Sequence, residues 1–282
     1  MARINHNIPA LVSQQSLSVS DRSLRNAMTQ LSTGLRINRA ADDPTNLSVS
    51  EQLRQVIRGS AVVTRNAHDA TSLLQIAEGA LDEVTNILQR MRELAVQSAN
   101  GVWTSNDRNY MDVEYQSLKE ELDRIAYQTQ YNSMQILNDE TTSFGSLGGP
   151  SVIHIGVNNS IGVDTINVSI QSVTLDALGL ETSGIADLNS VYLAVDELDD
   201  ALFSVSSNRA TLGALMNRLE VVVNNLMVQE SNTQAAESTI RDTDFARMTT
   251  EMVRYQILNE ASTAMLAQAN SLPKSILGLF DQ

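Results

Sequence analysis

Residues 188–226 read "LNSVYLAVDELDDALFSVSSNRATLGALMNRLEVVVNNL", and their spacing decides the fold class. Leu188, Val191, Val195, Leu198, Leu202, Val205, Arg209, Leu212, Met216, Leu219, Val223 and Leu226 follow one another at alternating steps of 3 and 4. Such alternation keeps one residue per turn on a single stripe of an α-helix. Only Arg209 interrupts the apolar series. At about 1.5 Å per residue this helix would run roughly 58 Å. A helix of that length predicts an elongated antiparallel helical bundle, mainly α.

Working outward, Leu73, Ala77, Ala80, Val84, Ile87, Met91 and Leu94 repeat the pattern. Leu74, Leu81, Leu88 and Ala95 run beside them, so this helix can touch more than one neighbour. A shorter series, Met111, Leu118, Leu122 and Ile125, follows the break "NGVWTSNDRN". Near the start, Leu17, Leu24, Met28, Leu31 and Leu35 form another seam. It stops at Arg36, Arg39, Asp42, Asp43 and Pro44. Asp43 suits a helix N-cap and Pro44 a first helical residue, where the missing N–H costs nothing. The stretch therefore ends one helix and starts the next.

The period changes in "PSVIHIGVNNSIGVDTINVSIQSVTL", which is β-branched and alternating. Ile153, Ile155 and Val157 fall on one arm and Ile166, Val168 and Ile170 on the other, with "VNNS" as a turn. A small β-hairpin region at about 140–175 is expected. The whole reads helix, helix, hairpin region, helix, helix, without an internal repeat.

The last seam runs Tyr255, Leu258, Ser262, Met265, Ala269, Leu272, Ile276 and Leu279. Val253, Ile257, Ala261 and Ala264 add a second apolar face. One partner helix cannot cover both faces. The N- and C-terminal helices are expected to pair as a coiled coil, poorly ordered until they assemble, because alanine-rich seams bury little area against the backbone entropy.

Composition limits the function classes. Apolar residues make up 42% of the 282 residues but aromatics only 4%, which suits helix seams better than a thick core. Cysteine is absent, so no disulfide or thiolate chemistry arises. The net charge of −14 argues against nucleic acid as a partner. Residues 1–40 carry five arginines against one aspartate, and 241–282 are close to neutral, so the acidity lies between them. No apolar run is long enough for membrane insertion. The start "MARINHNIPALVSQQSLS" lacks a cleavable signal core, so an extracellular destination would be reached without one. His6, His68 and His154 are isolated, and neither a metal-ligand cluster nor a Gly-x-Ser-x-Gly element occurs. No cofactor and no enzymatic activity are expected.

Three motifs carry a family resemblance: "LSTGLRINRAADDPTNLSVSEQLR", then "LQRMRELAVQSANG" with "LKEELDRIAYQTQYN", then "RDTDFARMTTEMVRYQILNEASTAMLAQANSLPKSILGLF". Along nearly its whole length the chain resembles bacterial flagellin, in a short form lacking the outer inserted domains. The resemblance implies an inner domain of residues 1–43 plus 237–282, lining a channel, and an outer helical domain of residues 44–236. It implies a structural subunit, exported by a type III apparatus and polymerised into a hollow helical propeller for swimming. The partners implied are many copies of the same chain, an export chaperone, the cap protein and the hook–filament junction protein.

It also implies that Arg90, Leu94 and Glu114 lie in a subunit interface that the flagellin-sensing Toll-like receptor of a host can read. Gly156 to Ile161 falls where the family's packing switch is expected. Arg36, Arg39, Asp42, Asp43 and Pro44 become the connection between layers and candidates for contacts between subunits. A hook–filament junction protein shares the terminal helices and is compatible with Pro44, but "RELAVQSANG" and "NLSVSEQLR" are flagellin forms. A soluble signalling coiled coil would explain the seams without the β-rich segment.

Overall fold

The computed structural model describes residues 6–138, 151–158, 160 and 162–280, with side chains left aside at Ser151 and 272–280. The chain divides into two compact units. One comprises Met1–Ile57 with Ser231–Gln282, the other Arg58–Glu230, and both boundaries fall inside long helices.

The first unit holds α1 (Ile8–Thr33), the start of α2 (Pro44–Ser98), the end of α4 (Leu188–Arg241) and α5 (Phe245–Phe280). Helices α1 and α5 pair as the seams predict. They run antiparallel: Asn7 Nδ2 donates to Ala269 O (2.8 Å) at one end, and Leu35 bridges Asp242 at the other. Asn7 also caps α1 through its side chain. The contact is narrow. Leu17, Leu24, Leu31 and Leu35 are half-buried, Ala27 is buried, and Met28 is 55% exposed. On α5, up to Ser271, the half-buried or buried residues are Met248, Glu251, Met252, Tyr255, Asn259, Ser262, Leu266 and Ala269. Leu258 and Met265, one position away, face out. The inward stripe keeps Tyr255, Ser262 and Ala269 of the seam but takes Asn259 and Leu266 in place of Leu258 and Met265.

In the second unit, α2 from Arg58, α3 (Ser105–Gln128) and α4 up to Glu230 enclose one apolar core. Both α2 seams are inside: Leu73, Leu74, Ala77, Leu81, Val84, Leu88, Met91, Leu94 and Ala95 are buried, and Ala80 and Ile87 pack against them. Helix α2 is continuous over 55 residues, longer than the seam from Leu73 signalled, because the series before it, Leu53, Val56, Ser60, Val63, Ala67 and Ala70, is diluted by small and polar residues. Three helices thus precede the hairpin region rather than two. Thr104 and Asp107 form a reciprocal capping box that starts α3 in the middle of the polar break.

The expected hairpin is β3 (Ser151–His154) with β4 (Thr165–Val168), antiparallel, Ile153 opposite Ile166. Ile155, Ile166 and Val168 are buried, so the alternation does set the inward face. A second, smaller hairpin, β1 (Gln130–Tyr131) with β2 (Met134–Gln135), was not visible as a pattern. Its two central residues, Asn132 and Ser133, have φ of 50° and 64°, the backbone of a tight hairpin turn.

Candidate assembly surfaces

The surfaces of each unit that can serve a function are polar groups that one chain holds ready and apolar faces that it leaves uncovered. The most ordered group links α2 to α3. Arg90 Nε and Nη2 donate to Glu114 Oε1 (3.0 and 2.8 Å), and Nη1 donates to Glu93 Oε2 (3.1 Å). Glu114, then Glu93, holds the Arg90 guanidinium above its ordinary pKa. About half of each of the Arg90 and Glu114 side chains is exposed, so the pair is worth little to stability but presents a fixed planar polar feature. Leu94, one turn along α2, is buried at 2%. The three residues singled out in the sequence are therefore one exposed ion pair and one core leucine.

The second group is the uncovered apolar surface of the terminal helices. Ile8, Leu11, Val12, Val19 and Met28 on α1 are more than half exposed. Val253, Ile257, Leu258 and Met265 on α5 are 47%, 60%, 41% and 61% exposed, and Ala261 and Ala264 are exposed as well. A single chain satisfies one stripe of α5 and leaves the other. Leu272, Ile276 and Leu279 lie where side chains are outside the described residues.

The third group is the connection between α1 and α2. Gly34 ends α1 in the left-handed conformation, its N–H bonded to Gln30 O. The chain then docks on the α4–α5 corner: Arg36 N donates to Arg241 O (2.7 Å), and Thr243 N to Gly34 O (2.9 Å). The Arg36 guanidinium reaches Ile240 O. Asp42 Oδ2 accepts from Asn38 N (3.0 Å) and Arg39 N (2.8 Å), folding the loop back. Asp43 Oδ1 accepts from Asn46 N (3.0 Å), which caps α2 and draws the carboxyl below its usual range. Pro44 is the first residue of α2, as its ring allows. Arg241 Nη1 meets Glu51 Oε1 (2.8 Å), tying α4 to α2. Most polar groups of this stretch thus have partners within the chain; Arg39 offers only its backbone to the network.

Polar residues that the sequence did not single out hold the second unit in register. Lys119, 5% exposed, donates to Glu181 O (2.9 Å) and Ser183 O (3.0 Å). Desolvation lowers its pKa. Tyr115 Oη lies 2.9 Å from Ser183 Oγ, and burial pushes the phenol up to about 12. Asp112 Oδ1 accepts from Ile185 N (2.8 Å). Together they pin the segment that leads into α4. On α4 the buried polar residue is Asn208, whose Nδ2 donates to Gln171 O (3.0 Å). Arg209, in the predicted seam, sits at its edge on Glu78 and Asp82 (2.8 and 2.9 Å). No spacing rule marks such residues, because their partners, backbone or side chain, lie far away in sequence.

The hairpin tip is keyed to α2. A Cβ on Gly59 would come 2.5 Å from Val157 Cγ1, so the missing side chain is the seat for Val157. At Gly156 a Cβ would meet Asp164 Oδ1 at 1.9 Å, and Gly156 N donates to Asp164 O (3.1 Å). Of the expected switch region, Asn159 and Ile161 lie outside the described residues. Among the described residues, no group of three or more His, Cys, Asp or Glu could hold a metal, and no helix is long and apolar enough to cross a membrane.

Residues 4–142 match the profile of the bacterial flagellin N-terminal helical region, and residues 195–280 that of the C-terminal helical region. A flagellin of Halalkalibacterium halodurans is 43% identical over 278 residues, covering 98% of both chains. The chain belongs to the bacterial flagellin family. A flagellar filament 31.3 kDa core protein of Treponema maltophilum is 41% identical over 285 residues, covering 98% of this chain and 99% of the relative. The 282-residue length and this coverage fit a short form of the family without the outer inserted domains. The crystal structure of Bacillus cereus flagellin, at 32% identity, superposes with a TM-score of 0.51 over 61% of this chain and 94% of that one.

Proposed function

We propose that the chain is a structural subunit of the bacterial flagellar filament, acting as a homopolymer. The observation that carries this reading is α5, whose second apolar face is uncovered in the single chain, in a protein related end to end to a flagellar filament core protein. Exposed apolar stripes of this kind cost free energy in water until another surface covers them. In a filament the neighbours of each terminal helix pair are further copies of it. Residues 1–43 with 237–282 then form the inner layer and 44–236 the outer layer.

The Arg90–Glu114 pair is the polar part of the outer-layer contact, with Leu94 packing beneath it, and a host Toll-like receptor would read that same surface. Passage through the flagellar channel, with an export chaperone before it and cap and hook–filament junction proteins at its ends, completes the reading. The hook–filament junction alternative is not favoured: relatives matched over the full length are flagellins and filament core proteins.

Electron microscopy of the purified chain after seeding with filament fragments tests the proposal. Long helical filaments are the expected result. A discrete, stable helical dimer that never elongates would overturn it in favour of a soluble coiled coil.

A further inference from the structure

At the corner between α2 and α3 the chain reads Ala99-Asn100-Gly101-Val102-Trp103, and Asn100 is the one asparagine in the sequence followed by glycine. The corner is exposed throughout Asn100–Asn106, with Val102 at 81%. Its turn closes by Trp103 N donating to Asn100 O (3.3 Å). The Asn100 side chain is also held: Val102 N donates to its Oδ1 (3.2 Å). Gly101 N, the amide between those two, donates to no protein acceptor in the turn. A Cβ on Gly101 would meet nothing within 4 Å. Arg108 anchors the corner, with Nε on Ser98 O (3.0 Å) and Nη2 3.4 Å from Asn100 O.

These features are the parts of one reaction. We propose that Asn100–Gly101 is a self-modification site, at which the folded turn converts the Asn100 amide through a succinimide to aspartate and isoaspartate. Water or hydroxide removes the proton of Gly101 N–H. The nitrogen then forms a bond to Asn100 Cγ, and negative charge develops on Oδ1. The Val102 N–H already directed at that oxygen stabilises the charge as an oxyanion-hole donor does, and the Arg108 cation favours it further. The Cγ–Nδ2 bond breaks, and the nitrogen takes a proton from water and leaves as ammonia. Water opens the ring at either carbonyl. One route gives aspartate, and the other gives isoaspartate with an extra methylene in the main chain.

Glycine matters because no side chain shields its nitrogen. The product places a new carboxylate beside Arg108 and the exposed Val102, and raises the net negative charge of the chain by one. Nothing in this step depends on the filament reading.

The test incubates the full-length chain at mildly alkaline pH and follows tryptic peptide Glu93–Arg108 by mass spectrometry, with fragmentation to place the change. Amide loss at Asn100 is expected an order of magnitude faster than at Asn132 or Asn189, each followed by serine, and than at Asn106 in the same peptide. Two products, separable by chromatography, should share one mass. Gly101→Ala should slow conversion by an order of magnitude with unchanged helix content, since the added Cβ has open space and φ is not positive. The same chain unfolded in urea should convert no faster than the folded one. An Asn100 that keeps its amide when folded but loses it in urea would overturn the proposal, as would an unchanged rate in Gly101→Ala.

Discussion

The two compact units use the same alternating seams and bury them to very different extents. In the residues around α1 and α5, Ile37 is the one large apolar side chain that is buried among the described residues, beside Ala27 and Ala269. In Arg58–Glu230, three long helices and two hairpins bury Leu74, Leu81, Leu88, Met91, Leu122, Leu180, Ile185, Leu198, Leu212 and more. A seam is only a potential to pack. Three helices plus a hairpin close around an apolar line, whereas two helices touch along it and leave their flanks in water. The second unit can be stable in one chain, and the first is built to be finished by others.

The largest expected effect separates the units outright. Removing residues after Ala261 should abolish filaments yet leave the denaturant transition of the second unit unchanged, since none of its core lies there. Filaments of normal length from that truncation would erase the distinction. Next comes a paired substitution. Leu88→Ala, at a fully buried position, should cost about 2–5 kcal/mol of monomer stability. Ile257→Ala, at 60% exposure, should change it by only about 0.5 kcal/mol while slowing elongation. Equal shifts in the urea midpoint would show that the α5 face is covered in the single chain.

A smaller effect probes the keyed hairpin within the second unit. Gly59→Ala should cost about 1–3 kcal/mol by crowding Val157, and Gly59→Ala with Val157→Ala should recover part of it. A double variant no better than the single one would mean that the notch is not the seat of the tip. The smallest effect is titration. Tyr115, raised to about 12, stays protonated when folded, while an unfolded tyrosine ionises near its ordinary value of about 10. Its contribution is complete below pH 10 and is lost as pH rises toward 12. The lowered pKa of Lys119 works in the opposite sense as its charge is relieved. Tyr115→Phe should flatten the alkaline loss measured by denaturant titration at rising pH, at a cost of about 1 kcal/mol near neutrality. An alkaline slope unchanged in that variant would place the titration elsewhere.

Periodicity located the helices because burial selects residues one turn apart whatever the partner is. By itself the sequence determined the α2 and α4 seams, the two alternating arms of the hairpin, and the Asp43–Pro44 start of α2, while the register of Ile153 opposite Ile166 came from the fold. Its three motifs were enough to indicate the family before any coordinates. It did not determine how far each seam is rotated. Met28, Leu258 and Met265 belong to apolar series yet face out, while their neighbours Ala27, Asn259 and Leu266 turn inward. Nor did it mark Lys119, Asn208 or Gly59, whose partners are carbonyls and a valine distant in the chain. The Asp42–Asp43 connection was legible as a helix boundary, but its docking on Ile240 and Arg241 was not. A one-dimensional pattern records which residues prefer to leave water. The tertiary fold decides what each one meets there, since buried polar groups need specific partners and close approaches need particular gaps.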